Sequence, residues 1–243
     1  MEDKLTGYLR PDGQKGIRNV LLVVYLVECS KFVAEEIVRR YRDRGVQLVG
    51  FPGCFPNEYS NTMLQRLCTH PNVGGALLVS LGCEGFDRHT LKNAIEATGR
   101  PAGVIGVQKT GGTRKTIEEG SAWVEGALKQ LEAVERVPMA AEELVVGTIC
   151  GGSDATSGMT ANPGIGRCFD ILVEKGARAI FEETGELIGC EHIMADRAAH
   201  EALAPELEAS VEKAARYYNT LGHGSFAPGN AEGGLTKKKK KSM

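Results

Sequence analysis

A glycine-rich segment, residues 150–163, concentrates groups that could bind and transform a small acid. Small residues dominate it, so its backbone can approach a ligand closely and adopt positive φ at glycines. It follows an apolar run, residues 144–149, that predicts a buried strand, and a helical pattern begins near Pro163. Open α/β sheets bind anions in such strand-to-helix loops, although a tight turn with a helix cap is the alternative. Its chemical groups belong to Cys150, Gly151, Gly152, Ser153, Asp154, Ser157 and Asn162.

Cysteines follow three successive predicted strands, at Cys29, Cys54 and Cys83, and Glu84 comes directly after the last of them. The carboxyl ends of parallel strands share one edge of a sheet, so these loops are expected to converge. We therefore weigh a thiol-lined or metal-bearing cleft against ordinary buried structural cysteines, which are common in proteins.

Two further acidic residues stand next to histidine or near it. Asp87 precedes a helical pattern and predicts a helix N-cap with His89 in the first turn. Glu191 and His192 are adjacent, so on a helix their side chains would point in different directions; metal ligation by either is the alternative to a plain surface position. HExxH, CxxC, EF-hand, P-loop, GxSxG and GxGxxG motifs do not occur, which disfavours the metalloprotease, nucleotide-binding and serine-hydrolase classes.

The elements that would position these groups alternate between strands and helices. Apolar runs predict strands at residues 19–27, 46–51, 74–81 and 102–107, and helical spacing predicts helices at 31–42, 59–68, 88–98 and 114–134. Ser30 is the predicted N-cap of the first helix. Continuous apolar strands separated by helices indicate a parallel sheet flanked by helices. We predict an α/β fold, with a Rossmann-like domain over residues 1–135.

A second α/β unit is predicted after a linker at residues 136–142. It comprises a strand, the glycine-rich segment, a helix at 164–175, a strand at 177–182 and helices at 186–203 and 206–221. We predict that residues 143–236 begin a catalytic carboxyl-terminal domain that continues further in the family described below. Residues 237–243, which include five consecutive lysines, predict a disordered tail; an electrostatic anchor for acidic partners is the alternative.

Composition narrows the classes of function. The 243 residues carry a net charge of −2, which gives no general case for nucleic-acid binding, and 42% hydrophobic residues, which is ordinary for a globular protein. No apolar run reaches the roughly 20 residues of a membrane span. The sequence begins with polar residues and shows no secretory signal, so we expect a cytoplasmic protein whose seven cysteines are free thiols.

Five motifs follow one another along the chain. They are GYLRPDG with GIRN (7–19), HPNVGG with LGCE (70–84), the glycine-rich segment (150–163), ETGE with GCEH and Arg197 (183–197), and PGN with GGLT (228–236). Their order and spacing resemble those of the altronate/galactarate dehydratase family over nearly the whole chain.

That resemblance implies a hydro-lyase that removes water from a sugar acid to give a 2-keto-3-deoxy acid. The large subunit of sulfolactate sulfo-lyase, which eliminates sulfite, is a close relative in that family and gives the alternative function. A divalent metal, Fe²⁺ above all, is expected as cofactor. A small SAF-type subunit encoded separately is expected as partner, and a homo-oligomer as the assembly. Sugar-acid dehydratases carry a histidine where this chain reads Phe51-Pro52-Gly53-Cys54-Phe55-Pro56-Asn57, which leaves the substrate open between the two classes.

Dehydration beside a carboxylate needs a base for the α-proton, a group that holds the enediolate charge, and an acid for the departing hydroxyl. Asp154, Glu84 and His192 are the candidate catalytic residues, with acid and base left unassigned. Amides of Gly151 and Gly152 would hold the carboxylate. The further substrate-binding candidates are Ser153, Ser157, Asn162 and Asn230, and the metal-ligand candidates are Cys83, Cys150 and Glu191.

Two other classes compete with the lyase. A non-catalytic carboxylate-binding subunit or fragment predicts ligand binding without turnover. A cysteine-based redox protein would need a resolving cysteine close to a reactive one, and the sequence shows no such close pair.

Overall fold

The chain forms two structural units, Met1–Met139 and Ala140–Met243. The computed structural model describes residues 5–149, 151, 155–220 and 222. Among these residues, no helix is both long enough and apolar enough to span a bilayer.

A four-stranded parallel sheet forms the core of the first unit. Its strands are β3 (Val20–Tyr25), β4 (Val46–Gly50), β5 (Val73–Ser80) and β6 (Ala102–Gly106), in the order β4-β3-β5-β6. Every residue of β5 is buried, as expected for a strand with helices on both faces. The prediction of an α/β fold with a parallel sheet flanked by helices is confirmed.

Alternate residues of the strands supply the two halves of the core. Leu21 and Val23 pack with α1 (Glu28–Tyr41) and α5 (Thr113–Glu132) on one face. Leu22 and Val24 pack with α2 (Glu58–Cys68) and α3 (Arg88–Glu96) on the other. A one-turn helix, α4 (Val107–Thr110), lies between β6 and α5 and was not predicted.

A small antiparallel sheet accompanies the parallel one. It consists of β1 (Thr6–Leu9), β2 (Lys15–Gly16) and β7 (Arg136–Pro138), in the order β2-β1-β7. The prediction that residues 136–142 are a linker was therefore wrong for β7, whose residues pair with Thr6, Gly7 and Tyr8. Pro138 had led to the linker prediction, because proline usually interrupts a strand. It is tolerated here because it ends an edge strand.

The motif at residues 7–19 ties this small sheet to the amino edge of the parallel sheet. Arg10 is buried, and its Nε donates to the Pro71 carbonyl at 2.7 Å. Its Nη1 donates to Asn19 Oδ1 at 2.7 Å and its Nη2 to the Arg18 carbonyl at 2.8 Å. Asn19 in turn donates to the Leu131 carbonyl at the end of α5. The motif at residues 7–19 therefore has a structural role, because it holds the small sheet against the parallel sheet and α5.

The second unit contains a short βαβ crossover. Strands β8 (Val145–Thr148) and β9 (Arg178–Phe181) pair in parallel, and α6 (Asn162–Glu174) connects them. The helices α7 (Glu191–Asp196) and α8 (Ala204–Thr220) follow. The prediction of a buried strand at residues 144–149 was wrong in its burial, because Val145 is 50% and Ile149 60% exposed. In the described residues β8 has a single neighbouring strand, so much of its surface faces solvent.

Two other predictions for this unit were wrong. The expected loop ends early, because the chain is helical from Ala155 and passes through a π-turn, Ser157–Ala161, into α6. The expected helix at 186–203 is divided into a 3₁₀ turn, Thr184–Leu187, then α7, then a 3₁₀ turn, Glu201–Leu203. Gly189 adopts a φ of 82°, outside the helical region, and separates the first two pieces.

Candidate functional site

The strand order places a topological switch point at the carboxyl edge between β3 and β5. β4 and β5 lie on opposite sides of β3, and the helix after β3 and the helix after β4 pack on opposite faces of the sheet. Open α/β sheets bind ligands at such a reversal of strand order. The Leu26 amide donates to the Val79 carbonyl at 3.0 Å and joins the segment after β3 to β5 at this edge.

The Ser30 side chain stabilises the same edge of the sheet through hydrogen bonds. Its buried hydroxyl lies 2.9 Å from the carbonyls of both Val27 and Val79. The prediction that Ser30 caps α1 was wrong: Val27 occupies the N-cap position, and Ser30 lies inside the first turn. The hydroxyl satisfies the carbonyls of the α1 N-cap and of β5 because burial leaves no water to do so.

Glu84 is held tightly in the loop after β5. Its side chain has no exposed surface; one oxygen accepts from the Ser80 hydroxyl, and the other accepts from the amides of Leu81 at 3.1 Å and Gly82 at 2.8 Å. Burial alone would raise the pKa of Glu84, but the Ser80 and Gly82 hydrogen bonds and the Arg88 charge together lower it. Both oxygens are thus engaged in holding the loop.

Arg88 and Ser80 complete this arrangement, and sequence reasoning missed both. Arg88 Nη1 lies 3.7 Å from Glu84 Oε1 and donates to the Ser80 hydroxyl at 2.9 Å. The i, i+4 spacing of Glu84 and Arg88 was the available signal. Asp87 does cap α3 as predicted, accepting from the amides of His89 and Thr90 at 3.0 Å each. The hydrogen bonds from Thr90 lower the pKa of Asp87.

The three cysteines of this edge are all exposed. Neighbouring loops are joined by backbone hydrogen bonds, from Gly85 to the Cys54 carbonyl at 2.8 Å and from Gln108 to the Leu81 carbonyl at 3.1 Å. Within the described residues no three His, Cys, Asp or Glu side chains form a group able to hold a metal ion. The edge therefore presents thiols to solvent without assembling a metal centre from the residues described there.

The second unit brings together two predicted substrate-binding residues. The amide of Asn162 donates to the carbonyl of Ser157 in the i→i+5 pattern of the π-turn, so the two residues are neighbours one turn apart on the helix. Both side chains are half-buried, and Gly151 is exposed. Single π-turns inside α-helices occur frequently at functional sites.

His192 and Glu191 lie in the first turn of α7, His192 exposed and Glu191 half-buried. Their predicted roles stay predictions, as does the role of Cys83 in the first unit. Five predicted site residues lie outside the described residues: Cys150, Gly152, Ser153, Asp154 and Asn230.

Comparison with known families finds matches over both units. Residues 7–132 match the profile of the D-galactarate dehydratase/altronate hydrolase second domain. Residues 141–243 match the profile of the carboxyl-terminal domain of D-galactarate/altronate dehydratase.

Individual relatives are similar along the whole chain. Altronate dehydratase of Bacillus subtilis is 28% identical over 98% of the chain. Galactarate dehydratase (L-threo-forming) of Escherichia coli and (2R)-sulfolactate sulfo-lyase subunit beta of Chromohalobacter salexigens are each 30% identical over 98% of it. The chain covers 50% of the length of each dehydratase and 62% of the sulfo-lyase subunit, so it spans about half the length of the curated relatives it matches.

Proposed function

The chain belongs to the D-galactarate/altronate dehydratase family, and from that premise we propose that it is part of a lyase acting on a sugar acid. The reaction removes water across the α and β carbons of the acid and gives a 2-keto-3-deoxy acid. We place the reaction in the cytoplasm.

The observation that carries this proposal is the π-turn of the glycine-rich segment. A backbone hydrogen bond joins Asn162 to Ser157, so the two residues lie one turn apart on the helix. We propose that the Asn162 amide and the Ser157 hydroxyl bind one polyhydroxylated substrate. Gly151 supplies an exposed backbone position just ahead of them. A sugar acid presents hydroxyls at successive carbons beside a carboxylate, which suits donors repeated at close spacing.

The proton transfers are assigned to residues other than Glu84. A carboxylate with both oxygens engaged and a lowered pKa is a weak base and is rarely protonated at neutral pH. We therefore give Glu84 the task of positioning the loop after β5. Asp154 and His192 are the proposed proton-transfer pair: one takes the α-proton, the other donates a proton to the departing β-hydroxyl, and the resulting enol tautomerises to the keto acid.

A divalent metal, with Fe²⁺ as first candidate, belongs to the proposal as the group that would stabilise the enediolate charge. The described residues do not fit it by themselves, since they assemble no group of three suitable donors. No step is therefore assigned to the metal. Anaerobic incubation with Fe²⁺, desalting and metal analysis test the requirement: we expect retained iron that a Cys150→Ala/Glu191→Ala variant loses. Equal retention by the variant contradicts this ligand set.

Sulfolactate is the second candidate substrate. The sulfo-lyase subunit is the relative of which this chain covers the larger share, 62% against 50%. The same α-proton removal would then expel sulfite in place of hydroxide. A separately encoded small subunit is the proposed partner, because that relative is itself named as a subunit.

Product analysis distinguishes these proposals. The chain, alone and with a candidate small subunit, is incubated with altronate, galactarate or (2R)-sulfolactate under anaerobic conditions with Fe²⁺. A keto acid without sulfite indicates the dehydratase, and a keto acid with equimolar sulfite indicates the sulfo-lyase. Binding of one of these acids without turnover in any combination would instead support the non-catalytic carboxylate-binding role and overturn the lyase.

A further inference from the structure

The buried guanidinium of Arg100 has two nitrogens without a hydrogen-bond acceptor. Arg100 lies between α3 and β6, and its side chain is 1% exposed. Its Nη1 donates to Asp12 Oδ2 at 3.0 Å, but Nε and Nη2 have no hydrogen-bond partner in the part of the chain that the structure describes. Buried polar groups are nearly always hydrogen-bonded, so two such donors on one side chain need an explanation.

The two nitrogens without a partner belong to the same edge of the planar guanidinium. The Nε–H and Nη2–H bonds of an arginine point in nearly the same direction, and this pair of donors matches the two oxygens of a carboxylate or a phosphate. Asp12 takes only Nη1. The remaining edge of Arg100 therefore has the donor geometry of a bidentate oxyanion site.

The charges around Arg100 do not balance. Arg10 is also buried, and it donates its three hydrogen bonds to neutral acceptors, two backbone carbonyls and one amide side chain. Asp12 pairs with Arg100 and partly offsets the lowering of the Arg10 pKa, so one carboxylate serves two cations. Burial and then the Arg100 charge lower the pKa of both Arg10 and His70. A second anion would neutralise the cation in excess, and buried charges are normally paired.

The backbone holds Arg100 in place from both sides. The Gly99 amide donates to the last carbonyl of α3 at 2.8 Å, and the Pro101 carbonyl accepts from β5 at 3.0 Å. A Cβ on Gly99 would lie 2.5 Å from the Cβ of Pro11, so the turn that contains Pro11 packs on this segment. Residues 11–14 of that turn are exposed. The donors are thus preorganised, and a small displacement of a surface turn would admit a ligand of a few atoms.

We propose that Arg100 forms a binding site for a small oxyanion, a carboxylate or a phosphate, which its Nε and Nη2 bind side by side. The site lies at the amino edge of the parallel sheet, whereas the thiols and Glu84 lie at the carboxyl edge. It therefore does not depend on the proposed lyase reaction. The bound anion neutralises the second buried cation and stabilises the first unit.

Thermal unfolding of the full chain in sodium chloride, acetate or phosphate at equal ionic strength tests the proposal. We expect acetate or phosphate at saturating concentration to raise Tm by roughly 5 °C above the chloride value, and the more effective of the two identifies the ligand as a carboxylate or a phosphate. Arg100→Lys keeps the charge but lacks the paired donors, so it should lose this increase. Arg39→Lys, at a side chain 72% exposed on α1, is the matched control and should retain it.

Asp12→Asn gives an expectation in the opposite direction. The substitution keeps the shape of the side chain and removes the one negative charge beside Arg100, so the anion should bind roughly tenfold more tightly. Calorimetric titration with the more effective anion measures the Kd of the wild type and of the variant. A purely structural Arg100 would give no tighter binding.

Nuclear magnetic resonance of the wild type keeps the test independent of variant folding. In a chain labelled with ¹⁵N-arginine, the Nε–H signal of Arg100, assigned through its backbone, should shift on titration with acetate or phosphate and not with chloride. A signal that no oxyanion moves overturns the proposal, because the two nitrogens would then be hydrogen-bonded to water. An increase in Tm that Arg100→Lys retains overturns it as well, because the anion would then bind elsewhere.

Discussion

Arg100 donates a hydrogen bond of 3.0 Å to the carboxylate of Asp12, which lies 88 positions earlier in the chain. The Arg100 side chain is only 1% exposed, against 21% for Asp12. Its Nε and Nη2 are buried without a partner in the described residues. Asp12 is therefore the counter-charge that makes a buried guanidinium tolerable at the amino edge of β6.

Removal of the Asp12 carboxylate should lower the free energy of unfolding more than the loss of a surface ion pair does. Asp12→Ala is expected to lower the free energy of unfolding by about 3 kcal/mol, because it leaves a buried cation unpaired. Urea unfolding followed by circular dichroism measures the change. Glu36→Ala, which breaks the exposed pair with Arg39, is the control and should change stability by less than about 1 kcal/mol. Equal effects of the two substitutions would show that Asp12 has no special role.

Replacement of Arg10 by lysine, although it keeps the charge, should destabilise the protein. Three of its nitrogens reach three acceptors on Pro71, Asn19 and Arg18, which a single ammonium cannot span. Burial and the Arg100 charge lower the pKa of Arg10 to about 10, so it stays charged at neutral pH. Arg10→Lys should destabilise the chain by about 2 kcal/mol, measured by urea unfolding. Arg39→Lys at an exposed position is the comparison, and we expect it to be near neutral.

Glu84 should give stability that depends on pH. Its folded pKa lies below the unfolded value of 4.5, so its contribution is present above that value and is lost as pH falls through the folded pKa. Glu84→Gln should lower the free energy of unfolding by about 2 kcal/mol at neutral pH, with the difference from wild type shrinking in acid. Unfolding curves at several pH values measure it, beside Glu96→Gln on exposed α3 surface. A difference that does not change with pH would contradict the role of the ionised carboxylate.

The π-turn residues should affect catalysis more than folding. Asn162→Ala and Ser157→Ala are each expected to lower kcat/KM for the sugar acid roughly tenfold, the loss of about one substrate hydrogen bond. Keto-acid formation is the assay, and thermal unfolding checks that the fold survives. The controls are Asn61→Ala in α2 and Ser210→Ala in α8, both exposed. If the controls reduced turnover as much, the π-turn would have no particular claim to the substrate.

The parallel sheet of the first unit could be predicted from the sequence because its strands consist mainly of apolar residues. β5, for example, is buried at every residue, so its whole sequence reports its environment. The Asp87 cap was predictable for a similar reason, since its partners lie within three residues. β8 was misjudged because an apolar run indicates a strand but cannot show how many neighbours cover it.

The sequence identified which residues could form the candidate site, but it predicted their arrangement only in part. The sequence pointed to residues 150–163, yet it gave no sign that Ser157 and Asn162 belong to a π-turn, which depends on one additional residue in a helical turn. It likewise presented Glu84 as a candidate acid or base. Its engagement by Ser80, Leu81 and Gly82 appears only when the loop closes on itself.

Local pattern and composition thus determined the four strands of the parallel sheet with the helices that flank it, the helix cap at Asp87 and the motifs of the family. The tertiary structure decided the rest: that Arg10 joins Pro71 and Asn19, that Asp12 neutralises Arg100, and that Ser30 links the start of α1 to β5. These relationships pair residues far apart in the chain through hydrogen bonds and charges. Hydrophobic periodicity reports which face of an element is buried, but it carries no information about which distant polar group will meet which.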